Sequence, residues 1–321
     1  MSKIKVILDS GAFTAANKGF RLSVAAYIAF IRREAPADTQ YISLDVIPSS
    51  LRRREWRLEY IEAAAKQSYA DLQKMKDAGQ NPIPVFHQGD PWHWLERFLS
   101  EGENYIALST NKTASRLEQL TWLDGCFDVL TDQNGQALVR THALGVSSNL
   151  LCSRYPWTTF DSGRWFKCGA NGQILMPHFS DGRPDYSLPP RILQVTDQMQ
   201  WHRNHIDRFG DHEHVDRYLQ EVIGCDLTDV QYDHWHRHRA CIIYLRNAIG
   251  PRLYFVVNSF EQAHLLAQCH VQSILVSYAY LKDKPEGTLE RYVQGRTDGQ
   301  AWATVDLCLP SETTRANTII Q

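Results

Sequence analysis

Two aspartates stand in short, similar phrases about half the chain apart. Asp9 follows the apolar run of ILDSGAF, and Asp161 lies in WTTFDSGRW. A pair of carboxylates is what glycosyl chemistry needs, because one can attack the sugar carbon while the other transfers protons to and from the leaving and incoming groups. The pair therefore predicts a catalytic site for glycosyl transfer. The alternatives are an Asp9 that caps the following helix and an Asp161 that starts a turn.

The segments around these aspartates alternate between strand-like and helical patterns, with short loops between them. Strands are predicted over 5–8, 41–47, 83–89, 104–110, 137–146 and 157–162. Helices are predicted over 23–35, 53–79, 92–99, 116–123 and 148–155. Such alternation favours a parallel sheet covered by helices.

Polar residues recur where the predicted strands end. They are Asp9, Asp45, Gln88, Ser109, His142 and Asp161. The active site of a (β/α)8 barrel is built at that end of its strands, so the pattern predicts an α/β fold of the TIM-like (β/α)8 type. The alternative is that polar residues simply mark the starts of loops. A length of 321 residues suits one barrel domain over 1–321.

The alternation breaks between Gly163 and about Arg239, where Gly, Pro, Asp, His and Trp are frequent. We predict an irregular, His- and Arg-rich inserted subdomain at about 163–239 within this single domain. After it, a helix is predicted over 241–249 and late strands over 253–259 and 273–281, with a helix between the two strands.

Composition limits the partners and the compartment. The formal net charge of −2 and pI near 6.7 give no global sign of nucleic-acid binding, so any such binding requires a local patch. No CxxC pair and no apolar run of membrane-spanning length occurs. With no signal peptide apparent, we expect reduced, buried thiols in a cytoplasmic protein that has no membrane partner. The cysteines are Cys126, Cys152, Cys168, Cys225, Cys241, Cys269 and Cys308.

The two aspartate phrases are similar to those of one known family. ILDSGAF resembles the DSGGFQ segment of the tRNA-guanine transglycosylases, and FDSGRWFKCGANGQ resembles their nucleophile segment, which also carries a nearby NGQ. The resemblance implies that Asp161 attacks C1′ of a nucleoside and expels guanine, and that Asp9 is the general acid/base. It places Ser10, Gly11 and Phe13 against the base. Ala12 differs from the second glycine of the family.

Further positions extend the resemblance to base recognition. Asp45 matches a family aspartate that binds the N1–H and 2-amino edge of guanine, although the following Glu and Cys are missing. The alternative for Asp45 is a strand-end residue that bonds to the next loop. Gln88-Gly89 resembles a VQGG segment of the family, which implies that Gln88 binds the O6 and N7 side of the base. His87 differs from the apolar residue of the family, and we expect it to be a packed residue at the strand end. The resemblance assigns the pocket wall to Ser109, His142 and Gly145.

Two basic or histidine-rich stretches suggest other ligands. We predict nucleic-acid contacts, with Trp56 as a stacking partner, for Arg52, Arg53, Arg54, Arg57 and Arg164. A solvated helix start is the alternative for the first four. The histidines of the second stretch are His202, His205, His212, His214, His234, His236 and His238. Their spacing matches no standard zinc pattern, and the cysteine zinc site of the family is absent, so we predict no metal and no cofactor. A structural zinc and a nucleic-acid patch remain the alternatives for this run.

The missing zinc site and the RYPW before Asp161 look more like the phage-type DNA-modifying branch of the superfamily. The expected substrates are therefore DNA and a 7-cyano or related 7-deazaguanine base. The alternatives are tRNA as substrate, a non-catalytic nucleic-acid-binding partner subunit, and an unrelated barrel hydrolase. A homodimer or an accessory protein is also left open.

Overall fold

The computed structural model describes residues 4–47, 58–196, 212–297 and 300–301. Its first part alternates strands with helices. The strands are β1 (Lys5–Asp9), β2 (Gln40–Tyr41), β3 (Val85–His87), β4 (Tyr105–Ser109), β5 (Arg140–Leu144) and β6 (Thr159–Ser162). The helices are α1 (Ala12–Lys18), α2 (Val24–Glu34), α3 (Leu58–Asp77), α4 (His93–Ser100), α5 (Arg116–Leu130) and α6 (Asn149–Arg154).

A long connection follows β6. After it, two strand–helix units and a small hairpin end the described part of the chain. That connection contains α7 (Arg164–Ala170), β7 (Gln173–Met176), β8 (His178–Ser180), β9 (Arg183–Asp185), β10 (Arg191–Gln194), α8 (His212–Tyr218), a π-helical turn (Leu219–Ile223), α9 (Leu227–Tyr232) and α10 (His234–Ile249). The remaining elements are β11 (Leu253–Val257), α11 (Phe260–Gln268), β12 (Ser273–Ser277), α12 (Tyr278–Leu281), α13 (Thr288–Gln294), β13 (Arg296–Thr297) and β14 (Gln300–Ala301).

The main sheet is parallel and has eight strands in the order β2-β1-β12-β11-β6-β5-β4-β3. The segments next to β2 and β3, the two outer strands of this order, approach one another and form a parallel bridge between Ile42 and Ile83. In this bridge, the Ile83 amide donates a hydrogen bond to the Tyr41 carbonyl at 2.8 Å, and the Ser43 amide donates one to the Ile83 carbonyl at 2.8 Å. The predicted α/β class with a parallel sheet is confirmed, and the sheet is strongly curled.

Both faces of this sheet are buried, as expected for a parallel sheet covered by helices. Alternate strand residues join a large apolar cluster with the helices, and those between them form a smaller cluster on the opposite face. The smaller cluster consists of Ile7, Ile42, Ile83, Val85, Tyr105, Ala107, Tyr254 and Leu275. Its members come from most of the strands, so this cluster extends along one face of the curled sheet.

The long connection departs from the main sheet. It carries two antiparallel pairs, β7 with β10 and β8 with β9, while α10 packs against α7 and β7. The inserted subdomain predicted over about 163–239 therefore corresponds to a region with regular elements of its own. Whether it is a separate subdomain stays a prediction.

Some predicted elements have different bounds in the structure. The strand predicted over 41–47 is only β2 plus the bridge at Ile42, and the chain beyond it is irregular. The helix predicted over 241–249 begins earlier, at His234, because the Asp233 side chain accepts a hydrogen bond from the Trp235 amide at 2.7 Å and caps it. No helix in the described ranges is long and apolar enough to cross a membrane.

Candidate active site

Three carboxylates come together at the carboxyl edge of the main sheet. Asp9 is the last residue of β1, Asp45 follows the bridge at Ile42, and Asp161 lies in β6. Burial raises the pKa of Asp9 most, followed by the negative charges of Asp45 and Asp161, so that it reaches about 7 from the usual 3.8. The sequence prediction that these strand ends share one site is consistent with this electrostatic coupling.

The alternation of side chains along each strand explains why these groups face inwards. Asp9 follows Ile7 by two residues, and His87 follows Val85 by two. Residues two apart on a strand point to the same face. Ile7 and Val85 belong to the smaller cluster, so Asp9 and His87 lie beyond it, on the same face of the sheet. The polar site is therefore built on an apolar floor.

Asp9 is placed to exchange a proton near neutral pH. The Gly11 amide donates a hydrogen bond of 3.0 Å to its Oδ2 atom, which lowers the pKa but does not offset burial and the two neighbouring carboxylates. Gly11 has a φ of 79°, and a Cβ there would lie 2.3 Å from the Cβ of Ala279, so a larger residue would displace the loop that holds Asp9. A carboxyl that titrates near 7 can act both as acid and as base.

Asp161 is buried, and one of its two oxygens is held in place. Its Oδ1 accepts a hydrogen bond from the Gly145 amide at 2.7 Å and another from His142 Nε2 at 3.3 Å. Within the described part of the chain, its Oδ2 has no hydrogen-bond donor. A carboxylate with one oxygen fixed and the other free has the arrangement expected of a nucleophile.

His142 connects Asp161 to a chain of hydroxyl groups. The structure places it in the middle of β5, fully buried, and not at the strand end that the sequence suggested. Its Nδ1 atom lies 2.6 Å from Thr159 Oγ1, which in turn lies 2.5 Å from the Tyr105 hydroxyl. A carboxylate can only accept, so His142 Nε2 carries the proton that bonds to Asp161. The chain fixes the orientation of the imidazole and hence of Asp161.

Asp45 belongs to a second hydrogen-bonded group. The Ser10 hydroxyl donates to its Oδ1 at 3.1 Å, and His87 Nε2 lies 2.9 Å from its Oδ2. On the other side of His87, Nδ1 lies 3.4 Å from an oxygen of Asp90. Burial alone would lower the pKa of His87, but the hydrogen bonds and charges of Asp45 and Asp90 more than offset burial and raise it to about 10. His87 is therefore a cation at neutral pH.

The remaining predicted base-binding residues lie around these groups. Phe13 is 52% exposed at the start of α1. Gln88 is bonded to protein at both ends of its amide: Oε1 accepts from the Asn111 amide at 2.9 Å, and Nε2 donates to the Glu118 carbonyl at 3.2 Å. The backbone amide of Gln88 donates a hydrogen bond to the Ser109 carbonyl at 2.9 Å. Gly89, which follows in the turn, has a φ of 109°. Their roles in binding a base stay predictions.

Lys112 is a site residue that the sequence analysis did not identify. Its Nζ atom lies 4.6 Å from the centre of the Phe13 ring and beside Gly145, where a Cβ would be 2.9 Å from it. Burial lowers its pKa, the charges of Asp161 and Asp9 raise it, and Lys167 lowers it further. A lysine in a loop carries no pattern that marks it as functional, so only the fold shows this position.

Other predicted groups lie elsewhere or outside the described ranges. Arg164 begins α7. The pKa of the Cys168 thiol is lowered most by a hydrogen bond with Cys241 and further by the nearby Arg164 guanidinium. The arginines that follow Asp45 are outside the described residues: Arg52, Arg53, Arg54 and Arg57. His202 and His205 are outside as well. In the described part of the chain, no group of three or more His, Cys, Asp and Glu side chains is arranged to hold a metal.

No protein-family model matches this chain, and a search of curated proteins gives no match. The site geometry and the resemblance of the two aspartate phrases are therefore the basis for proposing a function.

Proposed function

We propose that this protein is a DNA-guanine transglycosylase that exchanges guanine for a 7-deazaguanine base. The observation that carries the proposal is the convergence of Asp9, Asp45 and Asp161, with Asp9 titrating near 7 and Asp161 oriented by two donors. These are the two carboxylate roles of retaining glycosyl transfer, a nucleophile and an acid/base. The phrases around Asp9 and Asp161 are also those that resemble the transglycosylases.

In the first half of the proposed reaction, Asp161 Oδ2 attacks C1′ of the target nucleoside. The C1′–N9 bond breaks, its electron pair goes to the guanine, and the protonated Asp9 supplies a proton to the leaving base. The product is a sugar–Asp161 ester and an ionised Asp9. A pKa near 7 suits this task, because the protonated form is abundant at neutral pH.

The second half reverses these steps with a different base. Asp9 removes a proton from the incoming 7-deazaguanine, whose nitrogen attacks C1′ as the ester bond to Asp161 breaks. Two inversions at C1′ give net retention. Asp161 then returns to a carboxylate, and Asp9 is protonated again. No atom other than those of the two bases, the sugar and these carboxyls changes its bonding.

Asp45 and His87 are proposed to select a guanine-type base. The oxygens of Asp45 can accept hydrogen bonds from two adjacent donors, such as the N1–H and 2-amino groups. His87 supports this, because its Nε2 lies 2.9 Å from Oδ2 of the buried Asp45 and fixes the orientation of that side chain. A buried acceptor of this kind rejects bases that lack a matching donor. The exposed Phe13 ring is proposed to stack on the base.

We further propose that the curled sheet is a complete (β/α)8 barrel, supported by the Ile42–Ile83 bridge between the ends of the strand order. The site then lies at the carboxyl ends of the strands, where barrel enzymes bind their substrates. In a duplex the C1′–N9 bond is not accessible, so the target nucleotide must be extruded from the stack. We place the reaction in the cytoplasm, consistent with the unpaired, buried cysteines of the described ranges.

Base exchange with radiolabelled guanine tests the proposal. DNA and tRNA are offered in parallel to the wild-type protein and to the Asp161→Asn variant. Label that enters DNA, and does so only with the wild type, is the expected result. Label in tRNA alone would instead make the protein a tRNA-guanine transglycosylase. Label in neither, with nucleic acid still bound, would contradict catalysis and indicate a binding subunit.

A further inference from the structure

Two lysines lie on segments beside the proposed nucleophile, and Lys112 Nζ lies next to Gly145, whose amide binds Asp161. Lys112 is in the loop between β4 and α5, and Lys167 is in α7, which begins three residues after Asp161. They are near enough for the charge of Lys167 to lower the pKa of Lys112. Lys167 is exposed, and Lys112 is partly covered by Phe13 and Gly145 but is still open to solvent, so a ligand can reach both. The two lysines therefore form a small cationic cluster at the edge of the site.

Within the described ranges, this cluster has no anionic partner in contact. Neither ammonium makes an ion pair or a hydrogen bond with any residue that the structure describes. The nearby carboxylates are used differently: Asp161 accepts from Gly145 and His142. Lys112 instead lies over the exposed face of Phe13. The charges of Asp161 and Asp9 stabilise the Lys112 ammonium without contacting it, while burial and Lys167 oppose its charge. An anionic ligand oxygen in contact with Lys112 would add a direct partner that the protein does not supply there.

We propose that Lys112 and Lys167 bind a phosphodiester that flanks the target nucleotide. This inference rests on the proposed function, because the same nucleotide that presents C1′ to Asp161 carries phosphates on its sugar. A lysine ammonium is a compact charge suited to phosphate oxygens. The pair makes the enzyme prefer a guanine within a nucleic-acid strand to a free nucleoside. It also supplies a local positive patch in a chain whose formal net charge is −2.

Binding is measured with the Asp161→Asn protein, so that the substrate is not consumed. The probe is a fluorescein-labelled single-stranded DNA oligonucleotide with one guanine, followed by anisotropy. Adding Lys112→Met or Lys167→Met should weaken binding about tenfold, and each should reduce the salt dependence by about one phosphate contact. Adding Lys112→Arg should retain binding because it keeps the charge. Lys66→Met, an exposed lysine in α3, is the matched control and should change nothing.

Replacing one charged phosphate of the oligonucleotide by a neutral methylphosphonate shows whether Lys112 contacts that phosphate. An oligonucleotide with a methylphosphonate next to the target guanosine should bind about tenfold more weakly, and this loss should disappear in the Lys112→Met protein if the two groups touch. Competition with deoxyguanosine and with its 5′-monophosphate separates the sources of phosphate. If the monophosphate competes as well as the oligonucleotide in a Lys112-dependent way, a free nucleotide is the ligand, which overturns the phosphodiester assignment.

Different results would overturn the proposed phosphate site and the proposed function on which it rests. If the wild type exchanges guanine in DNA while the lysine variants bind with unchanged affinity and salt dependence, the phosphate site is overturned and the function stands. If the wild type exchanges nothing in either nucleic acid, the function fails. A lysine-dependent loss of oligonucleotide binding would in that case still assign a phosphate site.

Discussion

Replacing Asp9 by Asn should stabilise the protein at alkaline pH, at the expense of activity. The asparagine oxygen can still accept the hydrogen bond from the Gly11 amide, but the residue has no charge to bury. In the wild type, the ionised Asp9 is confined with Asp45 and Asp161, which, together with burial, raise its pKa to about 7. Active-site groups of this kind reduce stability in exchange for function.

The size of the effect follows from the two pKa values of Asp9. The unfolded carboxyl loses its proton near pH 3.8 and the folded one near pH 7. The folded state therefore holds the extra proton between these values, and the stability of the wild type falls as the pH rises through that window. Each pH unit of difference corresponds to about 1.4 kcal/mol, so the cost above pH 7 is about 4 kcal/mol. Solvent reaches part of the carboxylate, which reduces this cost to about 2–4 kcal/mol.

Urea unfolding followed by tryptophan fluorescence measures the difference, since the chain has nine tryptophans. The free energy of unfolding of Asp9→Asn should exceed that of the wild type by about 2–4 kcal/mol at pH 8.5 and by about half of this at pH 5.5. Asp128→Asn, at an exposed position of α5, is the control and should show no such trend. If the variant is no more stable than the wild type at pH 8.5, or if the difference does not depend on pH, the raised pKa of Asp9 and its proton-transfer role are refuted.

The other predictions concern the two hydrogen-bonded groups. Asp161→Asn should abolish base exchange while the dissociation constant for DNA stays within about twofold of the wild type, by anisotropy, because its role is covalent. His142→Phe should lower kcat about 10- to 100-fold with little change in KM, in steady-state exchange, because it removes a charge-assisted hydrogen bond to the nucleophile; an unchanged kcat would exclude the positioning role. His87→Gln should lower the free energy of unfolding by about 3 kcal/mol at pH 7, since it leaves two buried carboxylates without their shared cation. The wild type should lose that contribution as the pH rises from 6.5 through about 10, whereas the variant should not.

The local sequence was enough to locate the carboxylates. Asp9 follows an apolar run, and parallel strands bring their carboxyl ends to one edge, so this position was predictable without knowledge of the packing. Asp161 likewise lies at the end of a predicted strand, 157–162. The start of α10 can also be predicted, because Asp233 is a standard capping residue. The histidine-rich composition of this stretch instead favours a prediction of irregular structure.

The interactions between elements were not predictable from one sequence. His142 meets Asp161 because β5 and β6 pair with His142 opposite Thr159, and that register is not written in either strand alone. The charge on His87 depends on Asp90, which a tight turn brings back to it. Lys112 reaches the site only because its loop folds over Gly145. Each of these features is a long-range or turn geometry, which residue types alone do not determine.

Detection of a covalent intermediate would establish Asp161 as the nucleophile. The wild-type protein is incubated with a guanine-containing DNA oligonucleotide and no incoming base, so that the second half of the reaction lacks its substrate, and is then denatured, digested and examined by mass spectrometry. We expect a sugar ester on the peptide that contains Asp161, and none with the Asp161→Asn protein. An adduct on another residue, or continued base exchange by the Asp161→Asn protein, would contradict this assignment.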